Sequence, residues 1–337
     1  MKYDIHTQNI IKAIPLDKKE FIIENFKFNE NKKNELVFFF KPWCFTSSNF
    51  EDNAKIVKLA FDKFREFNVE ISGVLKLTGP RLEELEIMDK HYGVINKLSR
   101  RASMDINEEE EGIIANTLEL KNLEGHSILG GHEFLKKYPD FDAYSLNEFW
   151  SLKKSKKLRS GFYYNSYEHG DERIILVNGF HPAQLSNYTH PERQLILVLV
   201  HSDTSWEDLK EELIGNTYPE RAVPNSIRGE LYRNKDHYGI KQISISRNYV
   251  HLSAGPFEAL LEINNFLKDI DGLNFQIKNT NMFRLFVQNG LDMDALENAL
   301  ANPSKEIDGH WTDLFTITEE KDSLNAIQDF KRHFITP

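Results

Sequence analysis

Leu213-Ile214-Gly215-Asn216-Thr217-Tyr218-Pro219 opens a stretch that runs through Pro224-Asn225-Ser226-Ile227-Arg228-Gly229-Glu230 to Ser246-Arg247-Asn248-Tyr249-Val250-His251-Leu252-Ser253. Gly215, Asn216, Pro219, Pro224 and Asn225 are turn formers, so Thr217 and Arg228 are expected on loops. An amphipathic run carrying Glu262 follows His251. Thr217, Arg228, Asn248 and His251 beside apolar strands are the residue types that a phosphate-handling site with a histidine nucleophile needs.

Working outward, Gln194 to Val200 is the strongest buried-strand signal in the chain, and Leu36 to Phe40 is a second, ended by Lys41-Pro42. Val69 to Leu77 alternates as a strand, and Ile240 to Ser246 is expected to be another. Helical spacing covers residues 51–67, 205–213 (with Thr204 or Ser205 as N-cap) and 256–268, and a helix-like run lies near Lys18 to Asn25. A helical segment starts near Pro80 and carries His91 and Tyr92. The alternation of strands and helices predicts an α+β fold with helices over a four-stranded sheet.

Residues 100–190 break this rhythm. Glu108 to Glu111 reads as a solvated loop or helix face. Asn147 to Leu158 is helix-like and ends in Lys153, Lys154, Lys156, Lys157 and Arg159, a solubilising helix end or a contact for a phosphate or acidic partner. Two strands joined at His169-Gly170-Asp171 read as a hairpin. The chain divides into an N-terminal extension (1–35), a core (36–100 with 192–268), an inserted subdomain (101–191) and a mainly helical C-terminal extension (269–337), with helices at Leu291–Leu300 and Asp322–Phe334.

With 337 residues the chain can bury a sizeable core, and 40 % hydrophobic and 12 % aromatic content are those of a folded protein. A net charge of −10 argues against nucleic-acid or membrane-surface binding, while leaving room for a local basic pocket. The single cysteine, Cys44, excludes an intramolecular disulfide and makes a cysteine-based metal site poor chemistry. With no signal pattern and no apolar stretch of membrane length, a cytoplasmic setting is expected.

The ordered segments resemble the nucleoside diphosphate kinase family. Phe38 to Pro42 is similar to that family's first strand and its lysine, and His91-Tyr92 to the helix that brings a tyrosine to its phosphate site. Gly215-Asn216-Thr217-x-Pro219 and Ser226-Ile227-Arg228-Gly229-Glu230 resemble its threonine-bearing and Thr-Ile-Arg-Gly-Asp segments. Asn248-Tyr249-Val250-His251-x-Ser253 resembles its Asn-x-x-His-Gly-Ser signature, and Glu262 occupies the place of the glutamate that holds the catalytic imidazole. The resemblance implies a ferredoxin-like four-stranded antiparallel sheet with covering helices. It implies transfer of the γ-phosphate of a nucleoside triphosphate to a nucleoside diphosphate through a phosphohistidine at His251, with Glu262 as its partner. Lys41, Tyr92, Thr217, Arg228, Asn248 and Ser253 would bind substrate, Mg²⁺ would arrive with the nucleotide rather than in a protein metal site, and the chain would form a homodimer.

Several positions depart from the family pattern. Lys-Pro-Asp-Gly becomes Lys41-Pro42-Trp43-Cys44, and His-Gly-Ser-Asp becomes His251-Leu252-Ser253-Ala254. Leu252 adds bulk beside the histidine. Counting back from Thr217 puts Glu211 where the family has a second phosphate-binding arginine, leaving Lys210 or Arg221 to take its place. The base-stacking aromatic falls near Arg100, and extra residues separate Arg228 from Asn248. Two other readings stay open: the same histidine chemistry on another phosphorylated metabolite, or an inactive nucleotide-binding module.

Overall fold

A computed structural model describes residues 2–28, 31–47, 49–159 and 161–335. Its strands, in chain order, are β1 (Glu20–Glu24), β2 (Asn34–Phe40), β3 (Glu70–Thr78), β4 (His126–Gly130), β5 (Lys156–Arg159), β6 (Phe162–His169), β7 (Glu172–Val177), β8 (Gln194–Ser202), β9 (Val250–Leu252), β10 (Ser304–Ile307) and β11 (His310–Asp313). The chain separates into two compact units, Met1–Arg81 with Pro191–Pro337, and Leu82–His190. The second unit takes in residues 82–100, which the sequence placed with the core. Leu98 and Ala102 pack there with Phe162, Tyr164, Ile175 and Val177.

In the first unit β1, β3, β8, β2 and β9 lie side by side in that order, every pair antiparallel. The sheet therefore has five strands where four were expected. The added one is β1, from the run near Lys18 to Asn25 that was expected to be helical. Its five residues include Phe21, Ile22 and Ile23 and all are half-buried, and pairing with β3 supplies the main-chain partners that decide its state. A second correction concerns Ile240 to Ser246. This run forms no strand, and the edge position beside β2 is taken by Val250–Leu252 instead. His251 thus sits inside the edge strand of this sheet.

Side chains alternate across the sheet. Leu36, Phe38, Phe40, Ile196, Val198 and Val200 enter a core shared with Ile56, Ala60, Phe61 and Phe64 of the helix Phe50–Glu66. That helix starts cleanly because Asn49 accepts a hydrogen bond from Glu51 N–H at 3.0 Å. Phe39, on the opposite face, lies 5.7 Å from Phe266 of the helix Pro256–Leu267. Phe257 and Leu260 of that helix turn away from the sheet into a separate core with Phe286, Leu296, Ala326 and Phe330. The C-terminal segment thus covers the helix that carries Glu262. It contains helices Asn281–Gln288, Met293–Leu300, Leu314–Thr318 and Ser323–Phe334 and the β10–β11 hairpin.

A buried polar chain fastens this segment to the sheet. Ser72 Oγ lies 2.5 Å from His201 Nδ1, His201 Nε2 lies 2.9 Å from Glu35 Oε1, and Glu35 Oε2 accepts the Asn281 N–H at 2.9 Å. Ser72, His201 and Glu35 are all buried, so the chain satisfies polar groups inside the fold and presents no nucleophile to solvent.

In the second unit β4, β7, β6 and β5 form a mixed sheet, with β4 and β7 parallel and the other pairs antiparallel. The β6–β7 hairpin turns at Gly170, whose φ of 59° lies in the left-handed region that glycine tolerates. The expected helix at 147–158 is shorter and earlier, Ala143–Ser151, and the basic run enters β5. Glu108 to Glu111 form the first turn of the helix Glu108–Thr117, capped by Asn107, where acidic residues favour the positive end of the helix. Among the described residues no helix is long and apolar enough to cross a membrane.

Candidate active site

His251 is half-buried on β9, opposite Phe39 on β2. The two rings stack with centroids 4.3 Å apart and planes 14° from parallel. His251 Nε2 lies 2.8 Å from Glu262 Oε1. The other carboxylate oxygen accepts the Ser253 hydroxyl at 2.6 Å, and Ser253 Oγ accepts the Val37 N–H at 3.0 Å. The ring is therefore set by packing on one side and by a fixed carboxylate on the other. A carboxylate at Nε2 selects the tautomer with Nε2–H and puts the lone pair on Nδ1.

Cations surround this imidazole. Burial, together with the charges of Lys41, Lys210 and Arg228, holds the His251 pKa well below the ordinary value of 6.5. The ring is thus neutral, and a nucleophile, at physiological pH. Lys41 is buried at the end of β2, donates to Asn248 Oδ1 at 2.6 Å, and is brought down to about 7 by burial and by Arg228. Asn248 Nδ2 in turn donates to the Thr217 carbonyl at 3.3 Å. Arg228, in the first turn of the helix Ile227–Arg233, donates to the Gly215 carbonyl at 2.9 Å and the Val250 carbonyl at 3.0 Å. Its guanidinium ties the threonine-bearing loop to β9 while leaving its charge beside the imidazole.

The sequence-derived residues thus fall into distinct positions. Lys41, Arg228, Asn248, His251, Ser253 and Glu262 come together in the first unit. Ser253 is fully buried against Glu262 and Val37, and the following helix begins at Pro256 after Gly255 with no side-chain cap. Thr217 is exposed, and its carbonyl, not its hydroxyl, holds Asn248. Tyr92 belongs to the second unit, where its hydroxyl lies 3.3 Å from that of Tyr188.

Two departures from the family pattern change meaning. Leu252 points to the face opposite His251, into the core with Phe38 and Phe40, and so adds no bulk beside the imidazole. Glu211 is exposed, whereas Lys210 is half-buried and acts on both His251 and Lys41. The cause is local. After the short α-helical turn Trp206–Asp208 the chain widens into a π-helical turn, Leu209–Ile214, closed by the Gly215 N–H on the Lys210 carbonyl at 3.1 Å. This turn shifts the helical phase relative to an unbroken count. Arg221 is exposed over the Tyr218 ring.

Sequence reasoning missed Phe39 and Glu258. Phe39 could have been found as the residue two before Lys41, on the strand face shared with a histidine pairing partner. Glu258 sits one helical turn before Glu262, on the same face, and burial and the Glu262 charge push its pKa up to about 8.

No family model matches the chain, and no curated protein matches it. One solved structure that it is similar to is an NDP kinase from Pyrobaculum aerophilum, at 16 % identity, covering 72 % of this chain and 99 % of that one with a TM-score of 0.32.

Proposed function

We propose that the chain is a phosphotransferase of the nucleoside diphosphate kinase type, acting through His251. The observation that carries this reading is the imidazole clamped by Phe39 and Glu262, with the charges of Lys41, Lys210 and Arg228 lowering its pKa. The order β3-β8-β2-β9 within the sheet, with helices between these strands, supports a ferredoxin-like core. In the reaction the Nδ1 lone pair attacks the γ-phosphorus of a nucleoside triphosphate. The bond from that phosphorus to the β–γ bridging oxygen breaks, and the diphosphate leaves with the electron pair. A second nucleoside diphosphate then takes the phosphoryl from Nδ1 through a terminal oxygen, regenerating the imidazole.

Such transfer depends on in-line positioning and on neutralising phosphate oxygens. Lys41, Lys210 and Arg228 supply positive charge, Asn248 positions the Lys41 ammonium, and Glu262 balances the charge that grows on the ring. Mg²⁺ bound to the nucleotide would add neutralisation at the phosphates. The residues fit a metal that arrives with its ligand, because both oxygens of Glu262 are engaged by His251 and Ser253. Homodimeric assembly and a cytoplasmic setting belong to the same proposal and rest on the sequence.

The test is incubation with γ-labelled ATP and Mg²⁺. Acid-labile, base-stable label in the wild type, absent in His251→Ala, is the expected result. No label in the wild type, or label retained in His251→Ala, would overturn it.

A further inference from the structure

The C-terminal segment does more than cover the helix that carries Glu262. Its turn at residues 318–322 is tied down at both ends, and each tie lies next to the site. At one end the Glu320 N–H donates to the Ala254 carbonyl at 2.9 Å, just after the strand that carries His251. Gly255 makes this approach possible, since a Cβ there would stand 2.8 Å from the Thr318 carbonyl oxygen and 3.2 Å from Glu319 Cα. Glu320 takes a φ of 61° to complete the turn. At the other end Asp322 Oδ1 accepts the Trp206 N–H at 2.9 Å, on the short helix that leads into the turn carrying Lys210. Thr318 is fully buried and donates to the Leu314 carbonyl at 2.8 Å, which anchors the whole piece to the helix Leu314–Thr318.

Two exposed carboxylates, Glu319 and Glu320, are thereby held between the exit of β9 and the turn that carries Lys210. Burial and Arg228 lower the Lys210 pKa, and the charges of Glu319, Glu258 and Glu320 act the other way. They act on the ammonium through charge alone, with no hydrogen bond to it. Glu258 is held at about 8 by burial and by Glu262, so it is mostly protonated at neutral pH. Glu319 and Glu320 are left as the negative charges that Lys210 feels. Glu211, although adjacent to Lys210 in sequence, is not among the groups that act on it.

We propose that Glu319 and Glu320 are a charge filter on the site, disfavouring a triphosphate more than a diphosphate and a diphosphate more than a monophosphate. A phosphate chain that reaches Lys210 meets two fixed negative charges beside it, and the penalty grows with each charge that the ligand carries. The filter presupposes the phosphotransferase reading and narrows it. The favoured substrates are phosphoryl compounds of low net charge, a metal-bound triphosphate included.

The test is calorimetry on the full chain at low salt and without Mg²⁺, using β,γ-imido-ATP, ADP and AMP, none of which can phosphorylate His251. Glu319→Gln combined with Glu320→Gln removes both charges and keeps the main-chain ties. The triphosphate is expected to bind about 10-fold tighter to this double variant, roughly 3-fold per charge, and AMP to stay within about 2-fold of the wild type. High salt should shrink the gain. Asp294→Asn combined with Glu297→Gln, exposed on the helix Met293–Leu300, takes away the same charge elsewhere and should change nothing. Pulsed acetylation of Lys210 across pH reads the placement directly: its midpoint should fall in the double variant, because the two carboxylates favour the ammonium. An equal gain for all three nucleotides, an equal gain in the control, an unmoved Lys210 midpoint or no nucleotide binding by the double variant would each overturn the filter. γ-Labelled ATP and Mg²⁺ given to the double variant then separate the two readings. Label on His251 means that the filter alone has fallen, and no label means that the phosphotransferase has fallen with it.

Discussion

The imidazole of His251 lies on the ring of Phe39, its cross-strand neighbour, with centroids 4.3 Å apart. This contact fixes one face of the ring without spending a hydrogen bond, so both nitrogens keep their roles. Replacing Phe39 by Leu keeps apolar bulk in the sheet and removes the flat surface. An aromatic pair contributes about 0.5–1.5 kcal/mol beyond its buried area, so phosphohistidine formation is expected to slow by roughly 3- to 10-fold. Rapid-quench labelling of Phe39→Leu, beside a thermal melt showing a folded protein, checks this; unchanged labelling would remove Phe39 from the positioning machinery.

Glu262 fixes the tautomer, and Ser253 fixes Glu262. Glu262→Gln keeps the shape but cancels the charge facing Nε2–H. Its labelling rate is expected to fall on the order of 10- to 100-fold, by analogy with losing the carboxylate partner of a metal-bound imidazole. Ser253→Ala should in addition cost about 1–3 kcal/mol of stability, since the buried Val37 N–H loses its Oγ acceptor. Chemical denaturation and single-turnover labelling of both variants separate the two effects.

The π-helical turn assigns opposite roles to adjacent residues. Lys210→Ala should weaken nucleotide-dependent labelling clearly, whereas Glu211→Ala should leave it within about 2-fold, as expected of an exposed charge. Equal effects of the two substitutions would show that the turn does not set their directions.

Acidity should be felt in two ways. Because burial and three cations hold the His251 pKa below 6.5, the ring stays unprotonated as the pH falls through that value, and the acid limb of the labelling rate should lie below it. Lys41 at about 7 loses its proton as the pH rises past neutrality, and with it the attraction for phosphate. A bound polyphosphate favours the charged ammonium and so raises that value. Nucleotide binding near pH 7.5 should therefore take up protons, which calorimetry in buffers of different ionisation enthalpy measures directly. Proton release instead would contradict the state assigned to Lys41.

The C-terminal segment should prove inseparable from the site. Phe257, buried between Phe286 and Phe330, lies on the helix that presents Glu262. Phe257→Ala is expected to cost about 3–5 kcal/mol, the usual loss for a buried phenylalanine, and to lower labelling through displacement of Glu262. Denaturant titration with parallel labelling tests both.

The sequence by itself determined the buried strands β2, β3 and β8, the helices 50–66 and 256–267, and the chemical types gathered around His251. These depend on short-range periodicity and on residue chemistry, which a linear chain displays. Tertiary structure alone decided that 20–24 joins the sheet, that the edge strand beside β2 is Val250–Leu252, and that residues 82–100 pack with the second unit. It also placed Phe39 under the imidazole, turned Leu252 into the core and brought Lys210 toward His251 in place of Glu211. Each of these depends on strand register or helical phase. A one-residue slip reverses every face of a strand, and one widened turn rotates every later residue of a helix. Partners distant in the chain set both quantities, so the local pattern does not record them.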